Sequence, residues 1–275
     1  MTDVEPVVLI TGATSGLGRE LARRLAARGR RVIVHGRDRA RTQALAAELG
    51  APALPVVADL ADLAEVAALA EHVARVAPRL DVLVNNAAVG FGAPGAARQV
   101  NRQGHELRFA VNYLAPVLLS RLLIPALVAA APARIVNVGS VGQVPFDPCD
   151  AAFTRGYDGV TAYRRSKLAL AAHTFDLAET LRCTGVTVNC LHPASLMPTA
   201  MVLESGVQPW STLEDGVRPT LRLITDPALA GVTGGYFDGD AESRARPEAY
   251  DADFRRSLRE VTDDLLAPFS AAAAE

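Results

Sequence analysis

Tyr163 and Lys167 stand four residues apart in Ala162-Tyr163-Arg164-Arg165-Ser166-Lys167-Leu168-Ala169. On a helix that spacing puts phenol and ammonium on one face, where the positive charge favours the phenolate and suits the tyrosine to proton exchange. Lys167 stands out by composition too: of 28 basic residues 27 are arginine, and it is the only lysine. A compact ammonium with rotatable donors does work that a planar guanidinium does badly. The competing reading is a lysine on a solvated helix face. A second signature lies near the start, where the apolar run Val7-Val8-Leu9-Ile10 ends in Thr11-Gly12-Ala13-Thr14-Ser15-Gly16-Leu17-Gly18 and passes into Arg19-Glu20-Leu21-Ala22. Strand, glycine loop and helix in that order leave unpaired N–H groups and the positive end of a helix dipole facing a ligand. A dinucleotide pyrophosphate is the natural occupant. The spacing G-x-x-x-G-x-G differs from the G-x-G-x-x-G fingerprint, and a glycine turn that holds no phosphate is the alternative.

These groups need elements to position them, and the same unit recurs along the chain. Strands are expected at 7–10, 31–35, 53–58, 80–84, 134–138 and 186–191, with a short one at 236–237. Helices are expected from the glycine loop onward and over 38–49, 63–76, 104–130, 160–182, 213–223 and 247–266. Alternation of this kind predicts an α/β fold: one doubly wound parallel sheet with helices on both faces. The whole chain, 1–275, reads as one domain, with 192–226 a substrate-covering segment and 240–275 a C-terminal helical tail. Ligands of such sheets bind beyond the carboxyl ends of the strands. The residues there are the glycines, Gly36-Arg37-Asp38, Asp59-Leu60, Asn85-Asn86-Ala87-Ala88, Gly139-Ser140 and His192-Pro193. Singly each has a plain alternative, since Asp59 could cap the helix that begins near Asp62, and Asn85-Asn86 could turn the chain.

Composition narrows the function. Half of the 275 residues are hydrophobic and 21% are charged, ample for a large core. A net charge of −2, with basic and acidic residues interspersed, argues against nucleic acid. Cys149, Cys183 and Cys190 form no C-x-x-C pair, which predicts reduced thiols, a cytoplasmic protein and no metal site. The acidic start Met1-Thr2-Asp3-Val4-Glu5-Pro6 is unlike a signal peptide. Arg121 and Pro125 interrupt the most apolar stretch, Val117 to Ala131, so no membrane insertion is expected. The run Ala271 to Ala274 is the only low-complexity segment.

Taken together, Thr11-Gly12-x-x-x-Gly16-x-Gly18, Asp59, Asn85-Asn86-Ala87, Asn112, Ser140 and Tyr163-x-x-x-Lys167 resemble the short-chain dehydrogenase/reductase family over roughly residues 7 to 200. The resemblance implies a catalytic set of Asn112, Ser140, Tyr163 and Lys167, with Asn112 holding a water that links Lys167 to solvent. For the cofactor it implies Gly12, Thr14, Ser15, Gly16, Leu17 and Gly18 at the phosphates, Asp59 and Leu60 near the adenine, and Asn86 and Ala87 near the ribose. Tyr163 and Lys167 complete the cofactor set with Pro193 and Thr199. It further implies a homodimer or homotetramer packed through the two long helices. The 23-residue interval from Ser140 to Tyr163, and the tail through Pro247-Glu248-Ala249-Tyr250, resemble the retinol-dehydrogenase-like subgroup. Pro193-Ala194 stands where the family has Pro-Gly, and Thr199 falls one place late.

The expected activity is an NADP(H)-dependent oxidoreductase that interconverts a ketone or aldehyde and an alcohol on a small hydrophobic molecule. Tyr163 exchanges the proton, Ser140 bonds the substrate oxygen and Lys167 tunes the acid. One charge at about 4 Å in an effective dielectric of about 20 is worth roughly 4 kcal/mol, enough to bring a phenol from about 10 to about 7. Arg37 after strand two points to the 2′-phosphate of NADP rather than NAD, with Asp38 left to cap the next helix. Two rivals stay open: a non-redox lyase, isomerase or cyclase on the same fold, and an NADP(H) sensor without catalysis. Ser140 lacks the glycine of a hydrolase elbow, since Val138 occupies its place. His192 reads as a packing group, and His105 and His173 as solvated helix residues. Phe146, Phe153, Met197, Met201 and Trp210 read as cover for the substrate or as local core.

Overall fold

The strand that opens the sheet is apolar throughout because both its faces are buried: Val7 and Leu9 enter one core, Val8 and Ile10 the other. The computed structural model describes residues 5–93 and 95–270. Strand β1 (Val7–Ile10) is followed by α1 (Gly16–Ala26), β2 (Arg31–Gly36), α2 (Arg39–Leu49), β3 (Leu54–Val57), α3 (Leu63–Val76) and β4 (Val82–Asn85). Next come α4 (Leu107–Phe109), a π-helical turn (Ala110–Leu114) and α5 (Ala115–Ala130), one continuous helix, then β5 (Ala133–Val138), α6 (Gly159–Thr180) and β6 (Val186–His192). The chain goes on through α7 (Ala200–Glu204), α8 (Leu213–Thr225), β7 (Tyr236–Asp238), β8 (Ala241–Ser243) and α9 (Ala252–Ser270).

The sheet order is β3-β2-β1-β4-β5-β6-β7-β8, parallel except for the last, antiparallel pair. The order reverses between β1 and β4, which opens a crevice at their carboxyl ends. Helices α1, α2 and α8 cover one face, and α3, α5, α6 and α9 the other. Asp38 caps α2 by accepting from the Arg41 N–H at 2.9 Å, as expected. Asp62 rather than Asp59 caps α3, accepting from the Ala64 N–H at 3.0 Å. Arg24 of α1 pairs with Glu214, which ties α8 to the body.

Several expectations are corrected. The long helix begins at Leu107 rather than 104, because Glu106 caps it by accepting from the Phe109 N–H at 2.8 Å. The last α-helix begins at Ala252, after a 3-10 turn at Pro247–Tyr250. Strand β8 and helix α7 were not foreseen. The segment Leu107–Ala130 is long and apolar enough to cross a membrane, but it packs into the core shared by α3, α6 and α9. Helix α9 lies over one face of α5 and α6. Leu258, Thr262 and Leu266 of α9 are buried against it. The Tyr113 and Thr262 hydroxyls bond at 2.7 Å, Arg121 pairs with Asp263 at 2.7 Å, and Arg259 pairs with Asp176 at 3.1 Å. The final part of the tail, with the Ala271 to Ala274 run, lies outside the described residues.

Candidate active site

The glycine loop is fixed from two sides by the protein's own hydrogen bonds. Thr11 Oγ1 accepts from the N–H groups of Asn86 and Ala87 at 3.0 and 3.1 Å, and the Asn86 side chain donates to Thr11 O at 2.8 Å. Asn86 therefore braces the loop with its amide. His35 braces it from β2: its Nδ1 accepts from the Gly12 N–H at 3.2 Å, which sets the tautomer in which Nε2–H donates to Ala58 O at 3.0 Å. Burial pushes this imidazole down to about 4, so it is neutral and an acceptor at ordinary pH.

The loop's backbone fits a dinucleotide phosphate. Gly12 has φ 65°, and a Cβ there would stand 2.9 Å from Ala87 Cα. Ser15 is the exposed N-cap of α1 and makes no capping bond, and the first turn carries no acid. Thr14 lies beside Gly36, where a Cβ would come within 2.5 Å of its methyl, so the packing leaves no room for a side chain at the end of β2. Arg37 beyond it is exposed. Leu17 and Leu60 are buried, and the exposed Asp59 accepts from the Ala61 N–H at 3.0 Å. Thr199 comes to the loop from the other side, its methyl 3.1 Å from the place of a Gly16 Cβ, while Pro193 is buried beside Gly216.

Tyr163 and Lys167 share a face of α6, at the ends of β5 and β6. Burial raises the Tyr163 phenol above its ordinary value, and its hydrogen bond with Ser140 works against that rise. Lys167 Nζ donates to Val138 O at 2.8 Å and sits 5.7 Å from the Tyr163 ring centre. The expected lowering of the phenol by an ammonium at about 4 Å is thus absent here, because desolvation outweighs a charge that is aimed at a carbonyl. Burial also lowers Lys167 to about 8. Asn112 sits in the π-helical turn; its amide accepts from the Val89 N–H at 2.7 Å and donates to Val89 O at 3.0 Å and to Ser166 Oγ at 3.1 Å. It grips the segment after β4 with both arms of its side chain.

Ser140 is held by its surroundings. The Gly142 N–H donates to its Oγ at 3.0 Å, and Gln143 Nε2 donates to its carbonyl at 2.7 Å. Gln143 Oε1 in turn accepts from the Arg246 N–H at 3.1 Å, which links the tail to Ser140. No sequence signal singled out Gln143. His35 carried one, a polar residue in a strand buried on both faces. Phe91 was also missed; its ring meets Tyr163 edge-on at 4.8 Å.

The remaining candidates sort simply. Met201 packs on Gly90 and Met197 on Gly216, so both belong to the covering segment, and Trp210 there is 76% exposed. Phe146 and Phe153 belong to an aromatic core with Phe109 and Phe254. His173 is buried against Tyr113 and His105 half-buried ahead of α4, which corrects both as solvated helix residues. His192 Nε2 and the Ser195 hydroxyl are 2.9 Å apart, consistent with local packing. Cys149 and Cys183 are exposed and free, and Cys190 is buried and free.

A doubly wound sheet with a glycine cradle in its crevice and a tyrosine, serine and lysine beside it defines a nucleotide-dependent oxidoreductase. A family profile described as short chain dehydrogenase matches residues 6–209, and the chain belongs to that family. Retinol dehydrogenase 14 of Homo sapiens is 35% identical over 293 residues, covering 94% of this chain and 85% of that protein. Among solved structures, 3-ketoacyl-(acyl-carrier-protein) reductase from Brucella melitensis, complexed with NADH, has a TM-score of 0.69 at 28% identity, covering 85% of this chain and 96% of that one. RhlG from Pseudomonas aeruginosa, in an NADP active-site complex, has a TM-score of 0.70 at 26% identity, covering 86% and 94%. The chain is thus a retinol-dehydrogenase-like short-chain oxidoreductase that acts on small molecules with a nicotinamide dinucleotide.

Proposed function

We propose that this enzyme interconverts a ketone or aldehyde and an alcohol on a small apolar molecule, with NADP(H) as cofactor and Tyr163 as general acid/base. The observation that carries this is the buried, raised phenol of Tyr163 with Ser140 against it. A protonated phenol beside Ser140 can give its proton to the oxygen of a carbonyl, and the same pair takes it back from an alcohol in the reverse reaction. The bound cofactor supplies a hydride. Ser140 Oγ and the Tyr163 phenol bond the substrate oxygen, and the phenol gives its proton as charge grows there. Lys167, lying beneath the ring, steadies the phenolate that remains, and Asn112 keeps the segment after β4 in place. Gly12, Thr14, Ser15, Gly16, Leu17 and Gly18 would hold the phosphates, Asp59 and Leu60 the adenine side, Asn86 and Ala87 the ribose side, and Pro193 and Thr199 the nicotinamide side.

The preference for NADPH rests on Gly36 and Arg37. An acid for the ribose hydroxyls has no room at Gly36, while the exposed Arg37 is free to pair with a 2′-phosphate. Arg37→Ala should cost at least about tenfold in NADPH over NADH preference, the worth of one charge-assisted bond at about 1.5–3 kcal/mol. An unchanged ratio would remove Arg37 from recognition. We further propose work in the cytoplasm, supported by three free thiols, and a monomer, supported by the cover that α9 gives α5 and α6. Loss of NADPH absorbance with a panel of ketones and aldehydes tests the activity. Silence across the panel would overturn it in favour of a non-redox reaction or a sensor.

A further inference from the structure

Glu106 and Arg108, both buried, and the half-buried Tyr157 form a cluster that the chemistry above does not use. Glu106 is 0% and Arg108 2% exposed. Arg108 Nη1 donates to Glu106 Oε1 at 3.1 Å and to Tyr157 Oη at 2.8 Å, and the Tyr157 hydroxyl donates to Glu106 Oε1 at 2.9 Å. The second arm of the guanidinium leaves the cluster: Arg108 Nη2 donates to the carbonyl of Phe91 at 2.8 Å. That carbonyl also lies against Gly159, the first residue of α6, so closely that a Cβ there would collide with it. One turn further along α6 stands Tyr163, and the Phe91 ring meets it edge-on with centres 4.8 Å apart. The cluster thus joins the loop after β4, the start of α4 and the start of α6 at the one point where all three border the phenol. Removing two charges from water is a poor way to gain stability, since apolar groups of the same volume do as well, so a buried pair is better explained by the geometry it imposes.

We propose that Glu106, Arg108 and Tyr157 are positioning residues that hold Phe91 against Tyr163, and that Phe91 is thereby the wall against which the substrate carbonyl is fitted. This rests on Tyr163 being the proton donor. The test compares Phe91→Leu, Arg108→Lys and the double variant. A lysine keeps the charge but cannot reach Glu106, Tyr157 and the Phe91 carbonyl together. Each single variant should raise KM for the carbonyl substrate about three- to tenfold, the worth of one aromatic pair, with kcat and NADPH affinity nearly unchanged. Because both act through one ring, the double variant should be no worse than the singles. Additive effects, or a normal KM in Arg108→Lys, would overturn the proposal. Should Arg108→Lys not fold, Tyr157→Phe, which keeps the direct Arg108–Glu106 bond, should raise KM in the same direction, and a normal KM there would count equally against it. A wild-type protein silent towards every carbonyl would sink the functional reading alone. The 13Cζ resonance of Tyr163 would then decide the positioning: it should move alike in Phe91→Leu and Arg108→Lys, and an unmoved signal in the lysine variant would refute it.

Discussion

Lys167 carries the sharpest expectation at the scale of single residues. Lys167→Arg keeps a charge but places a longer, planar one beneath Tyr163, so turnover should fall at least about a hundredfold, the usual worth of positioned acid–base groups. The melt should fall too, by about 1–3 kcal/mol, because a larger group is forced into the place of a buried ammonium, so turnover is compared per folded molecule. Near-normal kinetics in that variant would remove Lys167 from the mechanism and leave it a buried structural group. With Lys167 lowered to about 8 by burial, reductive turnover should decline as pH rises past about 8 and the ammonium is lost. His35 gives an acid-side expectation of opposite sense. Its folded value of about 4 lies below the ordinary 6.5, so the stability it contributes is full above 6.5 and is lost as pH falls towards 4. At about 1.36 kcal/mol per unit the full loss is about 3 kcal/mol. Denaturant melts from pH 7 to 4 on His35→Gln should lose much of that acid slope, and an identical slope would assign it to His173 or to carboxylates. The acid that protonates His35 also removes the acceptor of the Gly12 N–H, so cofactor binding should weaken over the same range.

At the scale of elements, what could be read in advance was whatever repeats. Apolar runs marked β1 to β6 and helical apolar spacing marked α1 to α3 to within a few residues; of those strands the edge strand β3 alone is largely exposed, so there the apolar run without burial was the signal. Strand β8, all three residues of which are exposed, and the five-residue α7 have no period to detect. Glu106 and Arg108 look in sequence like a solvated pair near a helix start; only the fold shows that Tyr157, 49 residues beyond Arg108, completes their burial. Gln143 was illegible for the same reason, since its partner Arg246 is 103 residues away. Gln143→Ala unfastens β5's following loop from the tail and frees the Ser140 carbonyl. Turnover should drop severalfold, the worth of one or two hydrogen bonds at about 0.5–1.5 kcal/mol each, with little change in cofactor affinity. Kinetics equal to those of the parent would leave the link purely structural.

For the whole molecule, the cover that α9 gives α5 and α6 supports the monomer proposed above. This helix lays Leu258, Thr262 and Leu266 over the helices that would otherwise be bare, and ion pairs fasten it at Arg121 and Asp176. Sedimentation should therefore give a single species near the chain mass of 29.0 kDa. A dimer at micromolar concentration would mean that some other face associates. Deleting 252–270 should produce association or aggregation, because a strip of core then faces water.

The bond from Gln143 to Arg246 has a further meaning for a protein made from one end to the other. When β6 leaves the ribosome, the glycine cradle, Ser140, Gln143, Tyr163 and Lys167 are all present, yet Arg246, which holds Gln143, and the helix that covers Tyr113 are still unmade. At that stage Pro193 and Thr199 on the cofactor side and Arg246 behind Gln143 are also missing, and a chain stalled short of α9 leaves Tyr113 and the apolar flank that α9 covers open to water.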